Sequence, residues 1–509
     1  MAVVNDVTRT KHHDVPSDGG DLQISDHCRS MREAASHCIE AFSTYPWSSF
    51  ADFIALRSDD FNEDPFSSLL EVRRENYSKF WDNVVRSDGS TYENDGSVIR
   101  QLHMKDLSTA SEFRRQFHDC NLPCLITGGF DERNHSDTSL AGSWFRRVSQ
   151  EWRILGNYSD SKVNRDWFVN MLGANSEVPL RVEPICHSPL RSVRNEKSSE
   201  PRLDEEGRAE ECQTKTVAME EWITMLQDME SSQTPEDETS PDHEVSYYLK
   251  DWHFQSKFRE MGHVSNSSTD ELPIESLYEV PAVFSYDILN NFLTRFTAGD
   301  YKFVYWGPKN SFTSRHSDVL HSFSWSYNVV GTKRWTFFDG SSDRQFSIIQ
   351  RAGQAMFVPS KWQHHVVNLE ETISINHNWI TTANLDMCWD CLAVEMRAIQ
   401  KELDDWGIDD IEAHESMLRG CVGLDVTSFF LMVVVRLVHF LIEKNEGKCY
   451  TDDECFDTVS DVIRLTQIVR LLRLDESLRL ESRLESTLQS RSTATELLSF
   501  VDRIIENKQ

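Results

Sequence analysis

From Val245 to about Asn384 the chain breaks into short runs rich in β-branched and aromatic residues, and this texture limits the fold more than any other feature. The runs read YKFVYWGPKN, FSWSYNVVGTKRWTFFDG, GQAMFVPSKW and HHVVNLEETISINHNWI, and Gly, Pro, Asn and Asp separate them. Repeated short strands with turn residues between them predict a small barrel or sandwich. Within NVVGTKRW, the pair Gly331 and Thr332 predicts the turn of a hairpin.

Helical patterns flank this β-rich region, with apolar residues three and four positions apart in stretches such as SSLLEVRRENYSKFWDNVV. Two strongly charged segments, near residues 187–211 and 229–244, are predicted to be solvated insertions, because they bury too little apolar surface to offset their ordering entropy. We therefore divide the chain into a disordered segment 1–30, a helical region 31–118, the β-rich region 119–384, a helical extension 385–446 and a C-terminal helical region 447–509.

The chain is acidic, with 83 Asp and Glu against 52 Lys and Arg, which argues against nucleic acid or an anionic membrane as a partner of the whole surface. The most apolar run, Phe429–Val435, is too short and too interrupted to span a bilayer and predicts a buried helix. The start of the sequence has no apolar signal region, and the eleven cysteines have no regular spacing. We expect reduced thiols and a cytoplasmic protein, with the nucleus as a second location.

Two polar side chains stand out in SRHSDVLHSFSW, where His316 and Asp318 would share one face of a strand. By itself this pattern is common, so an ordinary strand surface is an alternative. Downstream, in QHHVVN, His364 and His365 point to opposite faces, and either one could complete a set of two histidines and one carboxylate. Such a set leaves three metal positions open and is typical of non-haem Fe(II) oxygenases.

Lys333 is unusual because it shares a predicted strand face with Trp335 and Phe337. A buried ammonium is costly unless an anion pairs with it. The lysine could lie at a strand end and reach water, or it could bind the carboxylate of an acidic co-substrate such as 2-oxoglutarate. A polar strand face beside the third histidine would fit a small polar cavity or a solvent-facing strand; it consists of Thr372, Ser374, Asn376 and Asn378.

In these segments the chain resembles the JmjC-domain 2-oxoglutarate oxygenases. The matching strings are GPKNSFTSRHSD, SFSWSYNVVGTKRWTFF, GQAMFVPSKWQHHV and NLEETISINHNW, in the family's order and spacing, and the resemblance covers roughly residues 118–442. It includes a lysine seventeen residues after the first histidine. The strings SFSWS and NLEETISINHNW most resemble one branch, JmjC domain-containing protein 4, which contains lysyl hydroxylases acting on a translation termination (release) factor.

The resemblance implies an α+β fold with a double-stranded β-helix (cupin-like) core, flanking helices and a helical C-terminal region. It also implies Fe(II), 2-oxoglutarate and dioxygen as cofactor and co-substrates. Position by position, it makes His316, Asp318 and His364 the iron ligands and the catalytic centre. Lys333 becomes the partner of the distal 2-oxoglutarate carboxylate. Asn376 stands where relatives often carry a threonine that helps to bind that carboxylate.

Three positions depart from the family pattern. Lys361 replaces the glycine of the family's PSGW, and Trp306 stands just before GP, where a small residue is expected. Cys212 is the nearest equivalent of a tyrosine that relatives often add to the co-substrate pocket. The metal and lysine positions are intact, so we expect an active enzyme.

The sequence therefore predicts an Fe(II)- and 2-oxoglutarate-dependent protein hydroxylase acting on a release-factor lysine, with a protein substrate as its partner. The alternatives are a histone lysine demethylase and a non-enzymatic cupin-like scaffold. Cys388 and Cys391 are predicted to be core residues one helical turn apart, and His321 and the pair His12-His13 are predicted not to be ligands. A C-terminal apolar stripe predicts packing, with a homodimer surface as the alternative; it consists of Val459, Val462, Ile463, Leu465, Ile468, Val469 and Leu472.

Overall fold

The computed structural model describes most of the chain outside the charged insertions. The described residues are 25–44, 65–84, 99–131, 142, 144–154, 161–184, 213–231, 245–262, 277–297, 299–340, 344–445 and 458–506.

Helices form both ends of the described chain and several connections between strands. They are α1 (Asp26–Thr44), α2 (Pro65–Val84), α3 (Ala110–Phe113), α4 (Arg146–Glu151), α5 (Arg165–Leu172), α6 (Met219–Ser231), α7 (Phe254–Gly262), α8 (Ile288–Phe296), α9 (Leu385–Asp405), α10 (Ile411–Val422), α11 (Val426–Asn445), α12 (Thr458–Leu474), α13 (Leu480–Leu488) and α14 (Arg491–Glu506).

Strands occupy the middle of the chain. They are β1 (Arg100–Leu102), β2 (Cys124–Ile126), β3 (Arg153–Ile154), β4 (Lys162–Val163), β5 (Glu177–Pro184), β6 (Gln213–Ala218), β7 (Val245–Trp252), β8 (Lys302–Gly307), β9 (Phe312–His316), β10 (Phe323–Val330), β11 (Lys333–Phe338), β12 (Gln345–Gln350), β13 (Ala355–Val358), β14 (Gln363–Asn368) and β15 (Thr372–Trp379).

The strands from β8 to β15 are divided between two facing sheets. One sheet contains the order β13-β10-β15-β8, and the other has the order β12-β11-β14-β9. The first sheet continues beyond β13 through β2 and β1, and beyond β8 through β7, β5 and β6. This arrangement is the double-stranded β-helix that the sequence predicted, and with its flanking helices it confirms the α+β fold class.

The predicted hairpin at Gly331 and Thr332 is wrong. Strand β10 pairs with β13 and β15, whereas β11 pairs with β12 and β14, so this turn carries the chain from one sheet to the other. Gly331 has a φ of +83°, and a Cβ there would collide with the carbonyl oxygen of Glu371. The glycine is therefore required by a tight corner between sheets, because no other residue avoids both the clash and the strain.

The barrel interior has an apolar end and a polar end. At the apolar end, α2 packs Trp81 against Trp362, with ring centroids 5.7 Å apart, beside Phe337 and Phe346. Helices cover the outer face of the larger sheet, and side chains of this face such as Trp325 are buried beneath them. The polar end contains an open cavity, which is lined by residues of β8 and β9.

The helical ends form a second core. The apolar run Phe429–Val435 lies in α11 and is buried, as predicted, and α1 packs against this helix. In α12, the described side chains of the predicted apolar stripe are buried, and Asp461 of this helix forms a buried ion pair with Arg114. The side chain of Val459 lies outside the described residues.

Two predicted boundaries differ from the structure. Helix α1 begins at Asp26, within the segment 1–30 that was expected to be disordered, and residues 1–24 lie outside the described chain. Strand β1 lies within the region 31–118 that was expected to be helical. The charged insertions fall largely on residues 185–212 and 232–244, which are also outside the described residues. No single described helix is long and apolar enough to cross a membrane, although α10 and the Val426–Phe440 part of α11, bent by 74°, together meet the requirement of length and composition.

Candidate metal centre

Three side chains predicted as metal ligands meet at the polar end of the barrel. His316 is the last residue of β9, and it lies opposite His364 of the antiparallel strand β14. Asp318 follows two residues after His316 in extended backbone, at the start of a short 3₁₀ turn. The Nε2 of His316 lies 3.8 Å from Oδ1 of Asp318, and one donor atom of each of the three residues lies within 4.8 Å of the others.

Hydrogen bonds orient each of these side chains. The Nδ1 of His316 lies 2.8 Å from the carbonyl oxygen of Ser314, and the Nδ1 of His364 lies 3.0 Å from that of Trp362. Since a carbonyl can only accept, both Nδ1 atoms carry the proton, and both Nε2 atoms keep a free lone pair. The Ser324 hydroxyl donates a 2.6 Å hydrogen bond to Oδ2 of Asp318. Such supporting contacts are typical of metal sites.

The electrostatics of the centre favour the neutral form of His316. Burial, followed by the neighbouring His364, lowers the pKa of His316 to about 4. The imidazole is then uncharged at neutral pH, which is the form that binds a metal ion. Two imidazoles and one carboxylate in this arrangement suit Fe(II), and this donor set leaves positions open for other ligands.

The structure decides between the two adjacent histidines of β14. His364 faces the interior, where its ring lies 5.5 Å from that of Trp335. His365 lies on the opposite face and contacts Phe338, with ring centroids 5.1 Å apart. Only His364 joins His316 and Asp318 in the described metal-ligand cluster.

Lys333 is buried in the same barrel interior, with 2% of its surface exposed. Its ammonium donates to the hydroxyl of Ser374 at 2.6 Å and lies 3.5 Å from that of Ser326. Burial, and secondarily the charge of Lys250, lowers the pKa of Lys333 to about 7. No carboxylate of the described residues lies within ion-pair distance of it. An ammonium held only by hydroxyls in a buried site is a receptor for an anion.

Asn376 lies beside this lysine. Its amide donates to the carbonyl oxygen and the hydroxyl of Ser374 at 3.1 and 2.9 Å, so both Asn376 and Lys333 contact the same serine. Alternation along β15 points Ser374, Asn376 and Asn378 toward the interior and Ile375 toward the covering helices. The polar face predicted from the sequence thus lies inside the barrel.

A cavity of about 530 Å³ leads to the metal-ligand cluster. His316 and Asp318 line it, together with Phe303 and Tyr305 of β8 and with Tyr301, which immediately precedes this strand. The ring of Tyr305 lies 6.0 Å from the Lys333 ammonium and connects the cavity wall to the lysine site.

The departures from the family pattern have local explanations at two of the three positions. Lys361 has a φ of +67°, the left-handed conformation that favours glycine, and its ammonium lies 3.3 Å from Asp390. Trp306 points away from the cavity, contacts Phe168 and donates its indole N–H to Glu371 at 3.0 Å. Cys212 lies outside the described residues.

None of the other candidate residues that the structure describes joins the metal-ligand cluster. His321 lies in the turn after Asp318, where its carbonyl oxygen contacts the thiol of Cys388. Cys388 is buried in α9, and Cys391, one turn later, is half-buried. The pair His12-His13 lies outside the described residues.

Sequence reasoning missed the side chains that support the centre. Ser324 and Ser326 are two residues apart in SFSWS and both face the interior. This alternation is visible in the sequence and could have predicted that both serines face the metal centre. Tyr301, Phe303 and Tyr305 of YKFVYWG have the same spacing of two residues. The contribution of β7 to the cavity wall had no signal in the sequence, because it depends on an irregularity of strand pairing.

Comparisons with known proteins agree with these observations. The JmjC domain (hydroxylase) family model matches residues 344–379, a segment that contains His364. A 2-oxoglutarate and iron-dependent oxygenase JMJD4 from Danio rerio is 36% identical over 217 residues, which cover 36% of this chain and 48% of that protein. The Drosophila melanogaster JMJD4 homolog is 34% identical over 268 residues, covering 46% of this chain and 59% of that protein.

A plant relative carries a different name. The arginine-specific demethylase JMJ20 from Arabidopsis thaliana is 33% identical over 234 residues, which cover 36% of this chain and 48% of that protein. The chain thus spans about half the length of the curated relatives it matches. These matches confirm the resemblance to the JmjC-domain oxygenases and to the JmjC domain-containing protein 4 branch.

Proposed function

We propose that this chain, JmjC-like in fold and sequence, is an Fe(II)- and 2-oxoglutarate-dependent protein hydroxylase acting on a lysine of a translation release factor. One observation carries the proposal. The cluster of His316, Asp318 and His364 and the buried ammonium of Lys333 share one barrel interior. A metal-ligand set and an anion receptor in the same enclosure are what a metal-bound dicarboxylate co-substrate requires.

The residues present fit these groups. The free Nε2 atoms of His316 and His364 and the carboxylate of Asp318 would hold Fe(II). Lys333 would pair with the distal carboxylate of 2-oxoglutarate, with Asn376 beside it. Fe(II), 2-oxoglutarate and dioxygen together supply the oxidation of an aliphatic C–H bond, with succinate and carbon dioxide as by-products.

The protein's own residues position the reacting groups. Backbone carbonyls fix both imidazole tautomers, and Ser324 fixes the carboxylate of Asp318. The apolar packing around Trp81 closes the far end of the barrel, so that substrate enters from the cavity side. Preorganised ligands of this kind reduce the cost of binding both metal and co-substrate.

The release-factor lysine is supported by the resemblance of SFSWS and NLEETISINHNW to the JmjC domain-containing protein 4 branch. Demethylation is the second candidate, because one relative is named an arginine-specific demethylase. Both reactions begin with removal of hydrogen from carbon, and the carbon that the cavity presents to the metal decides between them. A histone lysine demethylase and a non-enzymatic scaffold are further alternatives that the same assay separates.

The test is incubation of the full chain with Fe(II), 2-oxoglutarate and a purified release factor, followed by peptide mass spectrometry. We expect one lysine to gain the mass of one oxygen atom, and His316→Ala to abolish the gain while circular dichroism is unchanged. Consumption of 2-oxoglutarate without any modified lysine would disprove the substrate. Loss of a methyl group from methylated lysine or arginine peptides would support demethylation instead. A folded, iron-loaded chain that does not consume 2-oxoglutarate would support the scaffold.

A further inference from the structure

Three aromatic side chains form a strip along the wall of the metal cavity. Tyr301, Phe303 and Tyr305 are two residues apart and line the same cavity. Phe303 and Tyr305 share one face of strand β8, and Tyr301 lies just before this strand begins. Their rings follow one another, with centroids 6.1 Å apart between Tyr301 and Phe303 and 6.3 Å apart between Phe303 and Tyr305. All three are partly exposed and line the same cavity as His316 and Asp318.

A β-bulge in the neighbouring strand brings charge to this strip. The pairing of β7 with β8 shifts register between Leu249 and Trp252, and Asp251 within the bulge has a φ of +55°. A bulge redirects side chains that regular alternation would place on opposite faces. Lys250 and Asp251 accordingly both line the cavity, although they are adjacent in sequence.

The carboxylate of Asp251 is available to a cation. It is exposed, it accepts a 2.9 Å hydrogen bond from the Tyr305 hydroxyl, and no Lys or Arg of the described residues lies within ion-pair distance. Hydrogen bonding to Tyr305 places it at one end of the aromatic strip. It can therefore receive a cation that enters along the rings.

The other carboxylates of the cavity are already engaged. Glu183 is buried and lies 2.8 Å from Arg181 and 3.7 Å from Lys250. Asp318 belongs to the metal-ligand cluster. Of the described cavity lining, Asp251 is thus the carboxylate that neither an ion pair nor the metal cluster uses.

We propose that Asp251 and the aromatic strip form the subsite for a cationic substrate side chain, lysine or arginine. The aliphatic part of the side chain lies along Tyr301 and Phe303, and its charged end reaches Asp251 beside Tyr305. Aromatic faces attract cations and pack well against methylene groups, so the strip and the carboxylate select for the same chemistry. This subsite rests on the proposed function and deepens it by naming the residues that recognise the substrate.

The experiment compares two small probes on the full chain loaded with Zn(II) and N-oxalylglycine, a non-reactive analogue of 2-oxoglutarate. The probes are n-butylammonium, which reproduces the lysine side chain, and butan-1-ol, its uncharged isostere, and saturation-transfer NMR measures their binding. We expect the wild-type chain to bind the cation about fivefold more tightly, the size of one exposed charge pair. Asp251→Asn removes the preference, and its backbone is retained because asparagine tolerates a positive φ.

A matched variant separates the subsite from general attraction to an acidic protein. Asp405→Asn removes one exposed negative charge at the end of α9 and should keep the preference. The formal net charge of −31 attracts any cation, and such attraction would survive in Asp251→Asn. A preference that persists in Asp251→Asn, or that is absent in the wild type, overturns the subsite.

Turnover of 2-oxoglutarate by the Fe(II)-loaded wild type is measured in parallel. Turnover together with a preference unaffected by Asp251→Asn would overturn the subsite and leave the proposed function in place. A preference lost in Asp251→Asn, without any turnover, would support the subsite and disprove the proposed function. With a lysine-containing substrate peptide, Asp251→Asn should raise KM about fivefold, whereas a purely structural defect would lower kcat with every substrate.

Discussion

The Lys333 ammonium donates a 2.6 Å hydrogen bond to the hydroxyl of Ser374 inside the barrel, and no described carboxylate pairs with it. A hydroxyl satisfies a donor but does not neutralise its charge, so the folded protein carries the cost of a buried cation. A bound dicarboxylate would remove that cost. This pair of residues therefore connects the stability of the protein to the binding of the proposed co-substrate.

Lys333→Met should weaken binding of 2-oxoglutarate to the Mn(II)-loaded protein by at least about a hundredfold, since leaving one partner of a buried ion pair unpaired costs about 3–5 kcal/mol. Isothermal titration calorimetry measures the change. Lys309→Met, at an exposed position, is the matched control and should bind normally. Equal affinities in the two variants would show that Lys333 does not hold the carboxylate.

The same lysine predicts a dependence of stability on pH in the metal-free protein. The pKa of Lys333 is lowered from 10.5 to about 7, so between these values the unfolded chain binds a proton that the folded chain does not. The free energy of unfolding should therefore rise with pH from about 7 to 10.5, by at most about 1.4 kcal/mol per unit, and the penalty is fully present below pH 7. Urea unfolding at several pH values should show that Lys333→Met loses this slope; identical slopes would contradict the prediction.

The two adjacent histidines of β14 give a matched pair. His364→Ala should abolish metal binding and 2-oxoglutarate turnover, because its imidazole belongs to the ligand cluster. His365→Ala should retain both, because that ring lies on the other face against Phe338. Metal content after dialysis is the measurement, and equal losses in the two variants would disprove the assignment of His364.

Ser324 is a positioning residue, since it orients Asp318 without being placed among the ligands. Ser324→Ala should weaken Mn(II) binding by about tenfold to a hundredfold, the usual effect of losing a supporting contact to a ligand. Ser347→Ala, at a serine whose hydroxyl pairs with Thr336 of the neighbouring strand, is the control and should bind metal normally. Fluorescence titration with Mn(II) measures the affinity of each variant. Ser324→Thr should restore part of the affinity, because threonine restores a hydroxyl.

The buried side chain of His118 should make the folded protein less stable in acid. It is 1% exposed, neither ring nitrogen has a hydrogen-bond partner among the described residues, and its ring stacks on that of Phe323 with centroids 5.1 Å apart. His118→Phe should raise the free energy of unfolding at pH 7 by about 1–2 kcal/mol, because an apolar ring replaces unsatisfied polar atoms. Thermal unfolding monitored by circular dichroism measures this change.

The acid response of the same variant follows from the pKa of His118, which burial lowers to about 3 from 6.5. As the pH falls below 6.5, the unfolded chain binds a proton that the folded chain excludes, so the wild type loses up to about 1.4 kcal/mol of stability per unit from this group. His118→Phe should lose stability less steeply between pH 6.5 and 4. A steeper loss in the variant would contradict this explanation.

Local chemistry made part of the candidate site predictable. His316 and Asp318 are two residues apart, so any extended conformation places them on one face. The residues alone left both His364 and His365 as candidates for the third ligand, and the resemblance to the JmjC family pattern favoured His364. The position of Lys333 on an apolar strand face left two alternatives, a buried charge or a lysine at a strand end that reaches water. Pairing between strands was harder to predict: the glycine corner at Gly331 has the sequence of a hairpin, yet it joins strands of different sheets.

The sequence by itself determined the β-rich core, the likeness to the JmjC-domain proteins and the residue types of the metal centre, because strand alternation and motif spacing are local properties. Only the tertiary structure decided which groups meet. It placed His364 inside and His365 outside, surrounded Lys333 with hydroxyls, and turned Asp251 into the cavity through a bulge. These relationships depend on strand register and on packing between residues far apart in the chain, where a shift of one residue reverses the face of every side chain.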